Sequence, residues 1–109
     1  MDVLWPALAD PHRRAMLDAL REGPCSVGEL CSRLGLSQPM TSKHLRVLRD
    51  AGLVVVRKHA QQRIYAVNLV RLTELEEWLA PYSRLWNDSL DALAGHLDSE
   101  EEKRWNAGH

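Results

Sequence analysis

The sequence predicts a mainly α-helical chain carrying one small β-hairpin. Two patterns predict it. Apolar residues recur at three- and four-residue spacing through most of the chain, the mark of helices with one buried face. Two strand-like runs, Leu53–Lys58 and Arg63–Val67, stand back to back between helical segments. A third observation concerns charge. Residues 37–63 carry Lys43, Arg46, Arg49, Arg57, Lys58 and Arg63 against Asp50 alone, a local excess of +5, whereas residues 69–109 carry four cations against nine carboxylates, an excess of −5. The net charge of −1 therefore hides two regions, of which only one suits a polyanion.

Taken in order, Leu4 to Ala9 is a short apolar helical segment. Asp10-Pro11 reads as an N-cap followed by proline at the first helical position. The helix that follows places Ala15, Met16, Ala19 and Leu20 on one side and Arg13, Arg14, Asp18 and Arg21 on the other, and Gly23-Pro24 ends it. Ser26-Val27-Gly28-Glu29 has the form of a capping box. It opens a short helix with Val27, Leu30, Cys31 and Leu34 inward, closed by Gly35. Ser37 caps the next helix, Gln38 to Ala51. There Thr41, His44, Leu45, Leu48 and Ala51 fall on one arc, and Gln38, Ser42, Lys43, Arg46, Arg49 and Asp50 on the opposite one. Gly52 ends this helix. In the hairpin, the turn His59-Ala60-Gln61-Gln62 lacks the glycine or asparagine that tight primed turns favour, which predicts a longer or looser connection. The last helix, from Asn68 or Thr73, repeats apolar positions for over twenty residues, and Pro81 is expected to kink or interrupt it near residues 77–80.

Two short helices joined by a turn at Gly35 form a helix-turn-helix, and the hairpin beside them forms a wing. In such a motif the second helix enters the major groove, where each base pair shows a distinct donor and acceptor pattern. Ser37, Gln38, Thr41 and Ser42 are short or amide-bearing groups suited to base edges, and Lys43, Arg46 and Arg49 are suited to phosphates. Arg57, Lys58, Gln61, Gln62 and Arg63 would project from the wing and add salt-dependent, sequence-independent affinity. Double-stranded DNA is therefore the expected partner. The expected second partner is another copy of the chain. Trp78, Leu79, Tyr82, Leu85, Trp86, Leu90 and Leu93 make a broad apolar stripe that so small a winged domain cannot cover.

Composition narrows the class further. Apolar residues make up 45 % of the chain and charged residues 27 %, as in ordinary globular proteins. No stretch approaches a membrane span and the N-terminus lacks a signal-peptide pattern, so a cytoplasmic location with no membrane partner is expected. One domain is expected over residues 1–97, followed by a charged flexible tail over 98–109. No Gly-rich phosphate loop, nucleophile arrangement or cleft carboxylate pair argues for an enzyme, and no cofactor is expected.

The run Leu34-Gly35-Leu36-Ser37-Gln38-Pro39-Met40-Thr41-Ser42-Lys43-His44-Leu45-Arg46 and its continuation Val47-Leu48-Arg49-Asp50-Ala51-Gly52-Leu53-Val54 strongly resembles the ArsR/SmtB family of repressors. Leu8-Ala9-Asp10-Pro11-His12-Arg13-Arg14 resembles that family's entry into its second helix, and the likeness extends over about residues 4–97. The resemblance implies a winged helix-turn-helix homodimer, joined through its N- and C-terminal helices, that represses from an operator until a signal releases it. On that basis Leu4, Trp5 and Leu8 join the stripe of the last helix at the expected dimer interface.

The family's metal-sensing residues do not carry over. Ser26-Val27-Gly28 stands where many members have a Cys-Xaa-Cys pair, and His96 with Glu100 lacks the upstream Asp-Xaa-His of the zinc-binding members. The chain thus resembles a subgroup without the usual metal ligands, and no metal is expected. Two alternatives stand beside the main reading: a winged module for protein–protein contact only, and a redox-sensing repressor using Cys25 and Cys31, whose Cα atoms would have to lie within ~7 Å for a disulfide.

Overall fold

A computed structural model of the chain describes the backbone of residues 2–108 and the side chains of residues 2–95. Five helices and three short strands follow in the order α1 (Leu4–Ala9), α2 (Pro11–Arg21), β1 (Cys25–Ser26), α3 (Val27–Leu34), α4 (Gln38–Asp50), β2 (Val54–His59), β3 (Gln62–Val67) and α5 (Leu69–Gly108). The chain divides into two compact units, one ending at Leu72 and the other beginning at Thr73.

Local chemistry sets most helix boundaries of the first unit. The Asp10 carboxylate accepts the backbone N–H groups of His12 and Arg13 at 2.8 and 3.2 Å, and Pro11 occupies the first position of α2. Desolvation works to raise the Asp10 carboxyl. The Arg13 and His12 N–H groups, together with the Arg13 charge, outweigh it and bring the pKa below the ordinary carboxylate value. At the start of α3 both halves of the capping box form: Glu29 N–H donates to Ser26 Oγ, and Ser26 N–H donates to the Glu29 carboxylate. Ser37 Oγ caps α4 by accepting Met40 N–H. Both α3 and α4 end on a left-handed glycine, Gly35 at φ 67° and Gly52 at φ 78°. Leu36 N–H then reaches back to Cys31 O, and Leu53 N–H to Leu48 O, which satisfies carbonyls that a helix end leaves open.

The expected helical segment Leu4–Ala9 forms, but nothing local holds it. Helix α1 is a single six-residue segment with no side-chain N-cap, too short to persist alone. Two arginines of α2 hold it. Arg13 Nε donates to Ala7 O at 2.8 Å and Arg13 Nη2 to Pro6 O at 3.0 Å, while Arg14 Nη1 donates to Leu8 O and Ala9 O at 2.8 and 2.9 Å. The last four carbonyls of α1 thereby receive charged donors. The sequence pattern assigns both arginines to the solvent side of α2; they fold back over α1 instead.

The core of this unit collects Leu4, Met16, Leu30, Leu45, Leu48 and Leu53, each almost wholly buried, with Val54 and Tyr65 from the sheet. The expected inner arc of α4 is buried at every position from Thr41 to Ala51, and the outer arc is exposed. The strands form an antiparallel sheet in the order β1-β3-β2. The two-residue β1, which no sequence signal announces, pairs Cys25 with Tyr65 and Ser26 with Ile64.

The hairpin corrects the expectation of a loose wing. His59 pairs with Gln62, so only Ala60 and Gln61 form the turn, and Ala60 takes φ 56°. A non-glycine residue at positive φ costs about 1–2 kcal/mol. Six paired positions, Val54↔Val67 through His59↔Gln62, hold the register that imposes this conformation.

Helix α5 continues through Pro81, so of the two expected effects of that proline an interruption does not occur. Its residues from Trp78 to Leu93 leave seven large apolar side chains exposed, and the Trp78 ring lies tilted at 40° to that of Tyr82 with centroids 5.1 Å apart. The expected tail boundary at residue 98 and the His96–Glu100 pair lie outside the residues whose side chains are described.

Candidate nucleic-acid interface

The outer arc of α4 and the wing face a common space. Gln38, Ser42, Arg46 and Arg49 from α4 and Gln61, Gln62 and Arg63 from the wing line one open groove of about 740 Å³. The exposed face of α4 follows from helical spacing, since its opposite face is consumed by the core. The wing reaches the groove because of strand alternation. Val54, Val56, Lys58 and their partners Val67, Tyr65 and Arg63 lie on one face of the ribbon. That face buries Val54 and Tyr65 and then runs past the core, carrying Lys58 and Arg63 outward.

Lys58 and Arg63 stand directly opposite each other in the ladder. Like charges at such a position are destabilising by themselves. Both are exposed, and between the strands no carboxylate separates them. The pair is electrostatically sensible beside an anion and costly without one.

The expected residues divide accordingly. Gln38, Ser42, Arg46, Gln61, Gln62 and Arg63 meet in the groove. Lys43, Arg57 and Lys58 are exposed but do not line it. Ser37 is exposed, with its hydroxyl engaged as the α4 cap. Thr41 requires correction as a base-contacting candidate: it is fully buried, and its Oγ1 accepts the Cys31 thiol at 3.3 Å, because it lies on the arc that α4 presents to α3. Leu4 needs a similar correction as an interface candidate, since it is 1 % exposed and packs within its own unit. Trp5 is exposed and Leu8 half-buried.

The groove contains residues that sequence reasoning missed. Ser26, Val27 and Gly28, at the first turn of α3, form part of its wall, as does Tyr65. They arrive there because β1 docks on β3, a pairing of two residues that leaves no periodic signature. Asp50 is the carboxylate in the wall, next to Arg49 in sequence.

Among the described residues no three His, Cys, Asp or Glu side chains are grouped to hold a metal ion, and no helix is long and apolar enough to cross a membrane. Cys25 and Cys31 are both free thiols with separate partners: Cys25 Sγ donates to Gly23 O and Cys31 Sγ to Thr41 Oγ1.

Comparison with known proteins places these features in context. Residues 10–56 match the profile described as bacterial regulatory protein, arsR family. The chain is 40 % identical over 99 residues to the HTH-type transcriptional regulator Rv2034 of Mycobacterium tuberculosis, covering 91 % of this chain and 90 % of that protein. It is 29 % identical over 79 residues to the transcriptional repressor SdpR of Bacillus subtilis, covering 72 % of this chain and 88 % of the relative. Among solved structures, an ArsR family transcriptional regulator superposes with a TM-score of 0.68 at 36 % identity, over 79 % of this chain and 94 % of the other. HlyU from Vibrio cholerae superposes with a TM-score of 0.62 at 41 % identity, over 73 % and 87 %.

Proposed function

The chain belongs to the arsR family of bacterial regulatory proteins, and from that premise we propose that it is a transcriptional repressor that reads a palindromic operator in double-stranded DNA as a homodimer. The observation that carries this reading is the groove shared by α4 and the wing. Its wall combines amide and hydroxyl groups with arginines, as a surface facing base edges and phosphates together requires. Helix α4 enters the major groove, Gln38 and Ser42 meet base edges, and Arg46, Arg49 and Arg63 neutralise phosphates. Lys43, Arg57 and Lys58 extend the cationic rim along the backbone. Repression follows from occupancy, since a protein seated over the site excludes the transcription machinery.

The homodimer is supported by what α5 leaves exposed. Trp78, Leu79, Tyr82, Leu85, Trp86, Leu90 and Leu93 are all more than a third exposed. Contiguous apolar surface of this kind on a small domain marks an interaction site. Trp5 and Leu8 of α1 supply the remaining contacts. Half-sites are then spaced about one helical turn apart, ~34 Å, or a multiple of it.

The test is enrichment of genomic fragments on the purified protein, followed by sequencing. A recurrent palindrome that is bound at physiological salt sustains the proposal. Binding to random duplex alone, or no salt-sensitive binding to any duplex, overturns it.

A further inference from the structure

We infer that Arg13 is a positioning residue that couples the seating of α1 to the orientation of the reading helix α4, acting through His44. The inference rests on the proposed assignment of α4 to the major groove.

Three observations lead there. Arg13 divides its donors between two helices: Nε and Nη2 bond the α1 carbonyls of Ala7 and Pro6, and Nη1 lies 3.3 Å from His44 Nδ1 on α4. Arginine has donors only, so Nδ1 accepts and the proton of a neutral His44 ring resides on Nε2. Second, His44 is 7 % exposed on the inner arc of α4, among Leu45, Leu48 and Thr41, where an aliphatic side chain would pack without needing a partner. Its Nε2 is buried and has no hydrogen-bond partner among the described residues. A buried polar ring left half satisfied is costly. Its one hydrogen bond, to Arg13, is what distinguishes it from a leucine. Third, Arg14 holds the other two α1 carbonyls and bonds nothing on α4 among the described contacts. Anchoring α1 and linking it to α4 are therefore separable tasks, given to adjacent arginines.

The groups that face His44 come from the first turn of α2. Arg13 bonds it, and the His12 ring lies tilted against it with centroids 5.6 Å apart. The contact thus gathers the α1–α2 corner onto the middle of α4. Sequence-specific contacts need the reading helix held to a narrow orientation, whereas phosphate contacts from long flexible cations tolerate more play. A loosened link should therefore cost specificity before it costs general affinity.

The experiment uses the full chain and a duplex enriched by the wild-type protein from a randomised pool, with a random duplex at low salt as reference. Arg13→Met and His44→Leu should each weaken binding to the enriched duplex by ~10-fold, a coupling of ordinary size for residues in contact, while affinity for random duplex stays within ~2-fold. The double variant should be no weaker than either single one. His44→Asn, which returns an acceptor near the place of Nδ1, should recover most of the loss. Arg14→Met should lower the thermal midpoint but leave binding to the enriched duplex within ~2-fold of wild type. Equal losses in Arg13→Met and Arg14→Met would show that only α1 anchoring matters and overturn the coupling. So would additive losses in the double variant, or a loss shared equally by random duplex. If the wild-type protein enriches no duplex, the DNA reading itself fails, and this inference falls with it.

Discussion

Helices α4 and α5 present their surfaces in opposite ways. Every residue of the inner arc of α4 from Thr41 to Ala51 is buried in its own unit, so what remains outside is mainly amide, hydroxyl and cation, with Asp50 as a carboxylate and Met40 as an exposed apolar side chain. Helix α5 beyond Thr73 shows carboxylates and large apolar side chains together. A helix whose apolar face is already satisfied has only polar chemistry to offer a partner. A helix whose apolar face is open still lacks the surface that covers it. The first arrangement suits a nucleic acid and the second suits another protein chain, which is why one small chain is proposed to bind both.

That contrast can be broken most severely from the inside. Leu48→Ala should cost about 2–5 kcal/mol of folding stability, because Leu48 is fully buried on α4. The chemically identical Leu85→Ala on α5 should change the unfolding free energy of dilute protein by no more than about 0.5 kcal/mol. Its loss should appear instead in sedimentation equilibrium as a weaker dimer, with Trp86→Asp weaker still, by about 2 kcal/mol or more. Equal folding losses at Leu48 and Leu85 would erase the distinction.

Next in size, Gln38→Ala should relax base preference at one operator position by about 1–3 kcal/mol if its contact is bidentate, read by competition between operator variants. Arg46→Ala and Arg63→Ala should instead weaken all duplexes alike and shallow the slope of log affinity against log salt by ~0.9 for each phosphate contact removed. Lys58→Ala should do the same while also relieving its repulsion with Arg63 in the free protein.

Smaller effects lie at the edges of the fold. Ala60→Gly should raise stability by up to about 1 kcal/mol in chemical denaturation, because glycine relieves the strain at φ 56° but gives back part of it in unfolded-chain entropy. The last prediction concerns pH. The Asp10 carboxyl has its pKa depressed in the folded state, so its contribution is present above the ordinary carboxylate range and is lost as pH falls through the depressed value. Thermal midpoints followed from neutral into acid pH should therefore fall less steeply in Asp10→Asn, which keeps a side-chain cap without the titrating group.

Much of the site was legible before any coordinates. A 100° rotation per residue turns Gln38, Ser42 and Arg46 outward, and the caps at Asp10, Ser26 and Ser37 follow from residue types at fixed offsets. These succeed because their physics is local: the partners lie within four residues of one another. The departures share the opposite feature. The residues of the turn at Ala60 favour a looser connection, but six paired positions in the ladder outvote that local preference. Thr41 suits both the inner arc and a base edge, and the neighbouring α3 decides between them by burying it. Family likeness places Leu4 at the interface, while its own unit covers it.

By itself the sequence determined where α2, α3 and α4 start and stop, which arc of α4 faces outward, and where positive charge concentrates, since each depends on spacing along one segment. Only the tertiary structure decided that Ser26–Gly28 join the groove, that Arg13 and Arg14 turn back to hold α1, and that His44 receives Arg13 across thirty-one positions of sequence. Those contacts come from docking one element on another, and no periodicity in a single stretch of chain records which distant surface will meet it.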